Sequence, residues 1–217
     1  MIGGGNVYFS EGGKGQGNIY LASDGSMQEF VDFDSRFLKD IPYGGHILYI
    51  PYALKNSPRY AACANEFYSM LVAHTRRDIV LHVGTDISQL RQLTGFHAVY
   101  IEEGDTDILM NEMDRTGFEF VLDNFSRHGG VIYGKGTGGI VLGKYIDTCR
   151  EVNQDFKTGC GLIGKYSFCP NYRNENKDGW ASRHDSHLLC VSEGVGILIR
   201  DGRVEWSNSR GYKIFEL

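Results

Sequence analysis

The chain has 217 residues, 41% hydrophobic and 12% aromatic, with a formal net charge of −5. That is enough apolar material for one full core, so a single domain over 1–217 is expected, opening with a Gly-rich segment at 1–17. The acidic balance and the lack of a basic stripe exclude a nucleic-acid-binding surface. Five cysteines (Cys63, Cys149, Cys160, Cys169, Cys190) are odd in number and contain no C-x-x-C pair. They suggest neither a disulfide framework nor a zinc knuckle, and a reducing cytoplasm is the expected compartment. No apolar run reaches the roughly 20 residues of a membrane span, and Met1-Ile2-Gly3-Gly4-Gly5 lacks the charged-then-apolar layout of a secretory signal.

Taken in chain order, residues 6–10 form a short β-type piece, followed by Gly12-Gly13-Lys14-Gly15-Gln16-Gly17. That stretch invites a phosphate-loop reading but lacks the G-x-x-x-x-G-K-[ST] frame and a helix directly after it, so a loop or hairpin turn is expected. Residues 19–23 read as a strand. A helical pattern over 26–39 places Met27, Phe30, Val31, Phe37 and Leu38 on one face, with Ser26 as its N-cap. An apolar strand over 46–53 ends in proline chemistry, and a helix follows over 59–75. Residues 79–83 and 97–101 read as strands with a short helix at 87–93 between them, and two helices follow at 107–115 and 118–128. Strands that are apolar on consecutive residues, alternating with helices, predict a mainly parallel sheet covered on both faces: an α/β, three-layer α/β/α sandwich of flavodoxin-like type.

The stretch Gly129 to Gly143 organises this alternation. An apolar run, Val131-Ile132-Tyr133, enters a glycine cluster, and Ile140-Val141-Leu142 leaves it. This is the sequence shape of a nucleophile elbow, in which a G-x-S-x-G pattern holds a serine in a strained turn between strand and helix. Here the frame is Gly134-Lys135-Gly136-Thr137-Gly138, with glycine where the serine would stand. Beyond the elbow, residues 159–187 are rich in Gly, Asn, Arg and Lys and read as a long loop over the sheet. The end alternates short β runs with turns. Asp201-Gly202 between apolar runs signals a hairpin, and a closing antiparallel meander is expected at one edge.

From about Asn18 to Leu217 the chain resembles the peptidase E family of serine exopeptidases, which includes aspartyl dipeptidase and cyanophycinase. The resemblance rests on Tyr49-Ile50-Pro51-Tyr52-Ala53, on Tyr100-Ile101-Glu102-Glu103-Gly104-Asp105-Thr106 where the family tends to read G-G-N-T, and on the elbow. It rests further on Cys169-Pro170-Asn171-Tyr172 where the family reads P-H-Y, and on Ser192-Glu193-Gly194-Val195-Gly196. It implies a fold like that of class I glutamine amidotransferases and acyl-transfer chemistry by serine, histidine and acid, with backbone N–H groups holding the oxyanion. Carried over by position, the nucleophile falls on Gly136, the base on Asn171 and the acid on Glu193. The oxyanion donors fall on the backbone of Gly104 and Thr137. Gly136 has no side chain, and an amide cannot take up and return a proton near neutral pH.

Substitute residues are Thr137 and Cys169 as nucleophiles and His184 or His187 as a base. The plainer readings are an oxyanion-hole residue, a structural cysteine and surface histidines. His184-Asp185-Ser186-His187 also offers an H-x-x-H pair, without a clear third metal ligand. Two functions follow from the resemblance. One is a non-catalytic or impaired homologue acting as a binding or interaction protein; the other is an active serine-type dipeptidase or related hydrolase of acidic Asp-X peptides using substitute residues. Arg173 and Arg183 are candidates to hold a substrate carboxylate. The expected partner is a small peptide or acidic small molecule, with no cofactor, metal, nucleic acid or membrane, and a homo-oligomer stays open.

Overall fold

The computed structural model describes residues 17–148, 158–173, 180 and 184–216. The expected strand at 6–10, nearly all of the Gly12–Gly17 stretch, Cys149 and Arg183 lie outside them. Among the described residues, seven strands form the main sheet. In chain order these are β1 (Ile19–Ala22), β2 (His46–Ile50), β3 (Val80–Val83), β4 (Ala98–Ile101), β5 (Val131–Lys135), β8 (Gly196–Arg200) and β9 (Arg203–Ser207). Their spatial order is β3-β2-β4-β5-β1-β8-β9. The pairs from β3 through β1 are parallel, while β8 and β9 add an antiparallel edge.

The helices α1 (Val31–Lys39), α2 (Cys63–Ala73), α3 (Thr106–Thr116), α4 (Phe118–Arg127) and α5 (Thr137–Leu142) cover this sheet on two sides. The consecutive apolar residues of each central strand explain why. Tyr20, Tyr49, Tyr100 and Tyr133 point to one face and pack with Phe33 and Phe37 of α1 and Phe67 and Leu71 of α2. Ile19, Leu21, Ile101 and Ile132 point to the other and pack with Leu109, Met113, Leu122 and Val141 of α3 to α5. A sheet buried on both sides needs such runs, which gives the expected three-layer α/β/α architecture. The first face is unusually aromatic: Tyr100 stacks on Tyr133 at 4.5 Å between centroids, and Phe37 meets Tyr133 edge-on at 5.0 Å.

Several boundaries differ from the sequence reading. Ser26 donates from both its N–H and its hydroxyl to Glu29 Oε2, each at 2.7 Å, and so closes a tight turn. Helix α1 begins only after Phe30. The run 46–53 leaves the sheet at Ile50 and continues as one turn of 3₁₀ helix, Tyr52–Leu54. The larger differences lie late in the chain. Residues 159–187 are not a continuous loop, because they contain β6 (Tyr166–Cys169). Nor do all the C-terminal runs join one meander. The hairpin at Asp201-Gly202 does link β8 to β9, but β7 (His187–Val191) and β10 (Tyr212–Phe215) form a second sheet of order β10-β7-β6. Strand β7 runs antiparallel to β10 and parallel to β6. Among the described residues, no helix is long and apolar enough to cross a membrane.

Candidate functional site

The site forms where β1, β4 and β5 end side by side. Parallel register puts Ala22 beside Lys135 and Ile101 beside Gly134, so the next residues of each strand emerge together at the carboxyl edge of the sheet. These residues are Ser23-Asp24, Glu102-Glu103-Gly104 and Gly136-Thr137. Crevices at carboxyl ends are where open α/β sheets bind ligands.

Gly136 sits at the turn from β5 into α5 with φ 49° and ψ −113°, the strained backbone of an elbow. Its N–H donates to the Ala22 carbonyl at 2.7 Å, and its own carbonyl accepts from Gly139 and Ile140 N–H, both at 3.0 Å. The close strand-to-helix approach depends on glycine at 138, where a Cβ would run into the Ile101 carbonyl. A Cβ added at 136 would stand 3.1 Å from Glu103 Cβ and 3.3 Å from Asp24 Oδ1. The elbow geometry is present, and a carboxylate lies beside the place of the missing side chain.

Asn171 reaches the same spot from the segment after β6. It adopts φ 57°, a conformation asparagine tolerates better than most residues. Its side chain clasps Asp24 at two points: Oδ1 accepts the Asp24 N–H at 3.0 Å, and Nδ2 donates to Asp24 Oδ2 at 2.7 Å. Gly136, Thr137, Gly104, Asn171 and Arg173 therefore line one open cleft of about 660 Å³, together with Asp24, Arg59 and Glu103. Glu193 is exposed and is not among the residues lining this cleft. Its neighbour Gly194 donates to the Asp24 carbonyl at 2.7 Å, so that turn supports Asp24 through the backbone.

The substitute residues are engaged elsewhere. Thr137 Oγ1 donates to the Gly104 carbonyl at 2.6 Å and lies 3.3 Å from Thr106 Oγ1. Cys169 is buried in a separate apolar cluster with Tyr172, Leu188 and Phe215. His184 is buried, with Nε2 2.8 Å from Asp147 Oδ2 and Nδ1 3.0 Å from the Trp180 carbonyl, and its ring stacks on Trp180 at 3.8 Å. His187 is half-buried on β7 beside Tyr166. The H-x-x-H pair does not form part of a metal cluster among the described residues.

A charged group behind the elbow had no role in the sequence reading. Glu103 accepts from Arg59 at 2.7 Å and lies 3.7 Å from Lys135 Nζ. Glu102 is buried, accepts the Tyr49 hydroxyl at 2.8 Å and lies 3.5 Å from Lys135 Nζ. Burial pushes the Asp24 carboxyl up to about 6, helped by its hydrogen bond with Glu103 and that residue's charge, while Asn171 and Lys135 pull the other way. Burial works on Glu103 in the same direction, but the bond from Asp24, Lys135 and Arg59 outweigh it and hold that carboxyl below its ordinary value. Desolvation opposes the charge on Lys135, and Glu102 and Glu103 more than restore it. Asp24 and Glu103 thus form a carboxyl pair with unlike proton affinities. A second cleft of about 620 Å³ shares Asp24, Arg59 and Glu103 as its wall and extends under Tyr100, Tyr133 and Lys135. The signal for this group was positional: each carboxylate lies one or two residues past the end of an apolar strand of the parallel sheet.

The comparisons agree with this architecture. The crystal structure named as a peptidase E protein from Listeria monocytogenes EGD-e aligns with a TM-score of 0.64 and 18% identity, over 88% of this chain and 97% of that one. The crystal structure of a peptidase from an acI-B1 actinobacterium aligns with a TM-score of 0.64 and 17% identity, over 93% and 88%. At these identities the likeness shows the fold. No curated protein matches the sequence. The model of peptidase family S51, however, matches residues 19–207, which take in every strand of the main sheet and the whole of the cleft, and the chain belongs to that family.

Proposed function

We propose that this protein is a peptidase-family homologue that has lost serine-type catalysis and keeps its cleft as a binding site for a small peptide or acidic molecule. One observation carries the reading: the elbow backbone is retained at a residue that has no side chain to attack with. The base position supports it, because the Asn171 amide spends both polar atoms on Asp24 and cannot act as a proton acceptor. Losing triad members leaves at most ~10³–10⁴-fold catalysis over water from oxyanion hole and binding. Glycine in place of serine removes even the acyl-enzyme step. The exposed, cleft-lining Arg173 offers a carboxylate partner.

The alternative, a serine-type dipeptidase on Asp-X peptides with a substitute nucleophile, finds less support. Thr137 Oγ1 is committed to the Gly104 carbonyl, and Cys169 is buried in another cluster. The test pairs two measurements. A fluorophosphonate probe is expected to leave the purified protein unlabelled, and calorimetric titration with Asp-Leu is expected to show binding that Arg173→Glu weakens at least several-fold. Labelling that Thr137→Ala abolishes would establish the alternative instead.

A further inference from the structure

Asp24 is the ionisable side chain that faces the elbow from the end of β1, and everything around it fixes its position. Asn171 holds it at backbone and carboxylate, the Gly194 N–H and Ser23 hydroxyl bind its carbonyl, and Glu103 stands beside it, placed to accept a hydrogen bond from its protonated form. Its Oδ1 stands 3.3 Å from where the side chain of residue 136 would begin, which is the side from which a serine would attack an acyl carbon. Asp24 and Gly136 both line the open cleft, so this carboxylate borders the space in which a peptide would lie.

We propose that Asp24 is the general base of a direct-water hydrolysis of short peptides in this cleft, with Asn171 and Glu103 as its positioning residues. The inference goes beyond the binding role and rests on it in one respect, that the cleft takes a short peptide. In the step proposed, the Asp24 carboxylate takes one proton from a water molecule as its oxygen bonds to the peptide carbonyl carbon. The carbonyl π pair moves to oxygen, on the side of Gly104 and Thr137. Asp24 then gives that proton to the leaving nitrogen as the C–N bond breaks, so that peptide and water become acid and amine and the carboxylate is restored. No acyl-enzyme forms, and no nucleophilic side chain is consumed.

The groups facing Asp24 are Glu103 from the end of β4, Lys135 from β5, Arg59 ahead of α2 and Asn171 after β6. Burial first, and then Glu103, keep the Asp24 carboxyl basic, while Asn171 and Lys135 pull it down; Arg59 and Lys135 pair with Glu103. Ionisation of Asp24 is needed for it to act, so turnover rises with pH through the region near 6, where its carboxyl titrates.

The test incubates the full chain with an equimolar dipeptide library, reads cleavage by mass spectrometry, and measures binding of the same peptides by calorimetry. Wild type is expected to cleave without a burst and without inhibition by fluorophosphonate. Asp24→Asn is expected to still bind peptide while losing ~10²-fold or more in kcat, the range of general-base help. Glu103→Gln is expected to move the acidic limb of the pH profile to lower pH, which a merely structural role would not do; circular dichroism checks that both variants fold. Binding without cleavage by wild type overturns the proposal and leaves the binding role standing. Neither binding nor cleavage overturns both. Cleavage that survives Asp24→Asn, or that fluorophosphonate abolishes, overturns the proposal and points to a nucleophile.

Discussion

At Gly136, function and strain meet in one set of backbone angles. A side chain there must adopt φ 49° and push against Asp24 Oδ1 and Glu103 Cβ. Gly136→Ala is therefore expected to cost about 1–2 kcal/mol of stability, from positive φ and local crowding. Gly138→Ala is expected to cost more, because its Cβ meets the Ile101 backbone, which cannot yield as a side chain can. Chemical denaturation of the two variants beside wild type checks the order, and a smaller loss at 138 would contradict it. A second residue-scale prediction concerns Asp34, buried on α1 with Oδ1 accepting the Tyr133 hydroxyl at 3.0 Å. Burial pushes its carboxyl from 3.8 up to about 7, against the Tyr133 hydrogen bond and the Lys135 charge. Well below its ordinary value of 3.8 it is protonated in folded and unfolded chains alike. As pH climbs toward 7 the unfolded chain ionises and the folded one does not, so its stabilising contribution is present at low pH and lost by about 7. Asp34→Asn is expected to raise stability on the order of 2 kcal/mol at pH 8 relative to its effect at pH 4. Thermal melts at both pH values measure it, and an equal effect at each would refute the assignment.

The elements show which parts of this arrangement the sequence states openly. Strands β1, β2, β4 and β5 and helices α3 and α4 were legible because a sheet buried on both faces demands unbroken apolar runs, and a covering helix demands an apolar stripe. The elbow was legible because close strand-to-helix approach requires glycines at fixed spacing. Strand β6 was not, because four residues between Gly164-Lys165 and Pro170 carry no period long enough to outweigh the loop composition around them. The second sheet was hidden for another reason: its pairings join β6, β7 and β10 across intervening segments, and local pattern says nothing of partner choice. Asp24 and Glu103 escaped notice because a carboxylate after a strand is ordinary until the register of three strands brings two of them together. Asn208, just after the last hairpin, ties it to the turns that precede α1 and β8. It donates to the Glu29 and Gly194 carbonyls, both at 3.0 Å, and accepts the Gly196 N–H at 2.9 Å. Asn208→Ala is expected to cost about 1–3 kcal/mol, since it leaves partners of all three bonds unmatched. Hydrogen exchange should show the loss as faster exchange at Gly196 and Asn208 before any change in α3 or α4.

For the molecule as a whole, the position of β1 decides how the fold must assemble. It is an inner strand, yet its two neighbours are β5 and β8, more than a hundred residues away along the chain. Contacts of such separation carry a large loop-closure cost before they return any stability, so folding is expected to be slow for the size of the protein. The site inherits the same dependence. Asp24 lies two residues past β1, its carbonyl is held by Gly194 just before β8, and its side chain is held by Asn171. Deleting β8 and the residues after it would strip β1 of its antiparallel partner, expose Tyr20 and Leu21, and cut off the Val195 carbonyl that Ser23 uses. A chain ending at residue 194 is therefore expected to lose its cooperative thermal transition and its cleft together, while α3 and α4 keep residual helicity. Thermal melts by circular dichroism, run alongside Asp-Leu binding, test this coupling. A truncated chain that melts cooperatively but binds nothing would show that the sheet can close without β8, and that only the site depends on it.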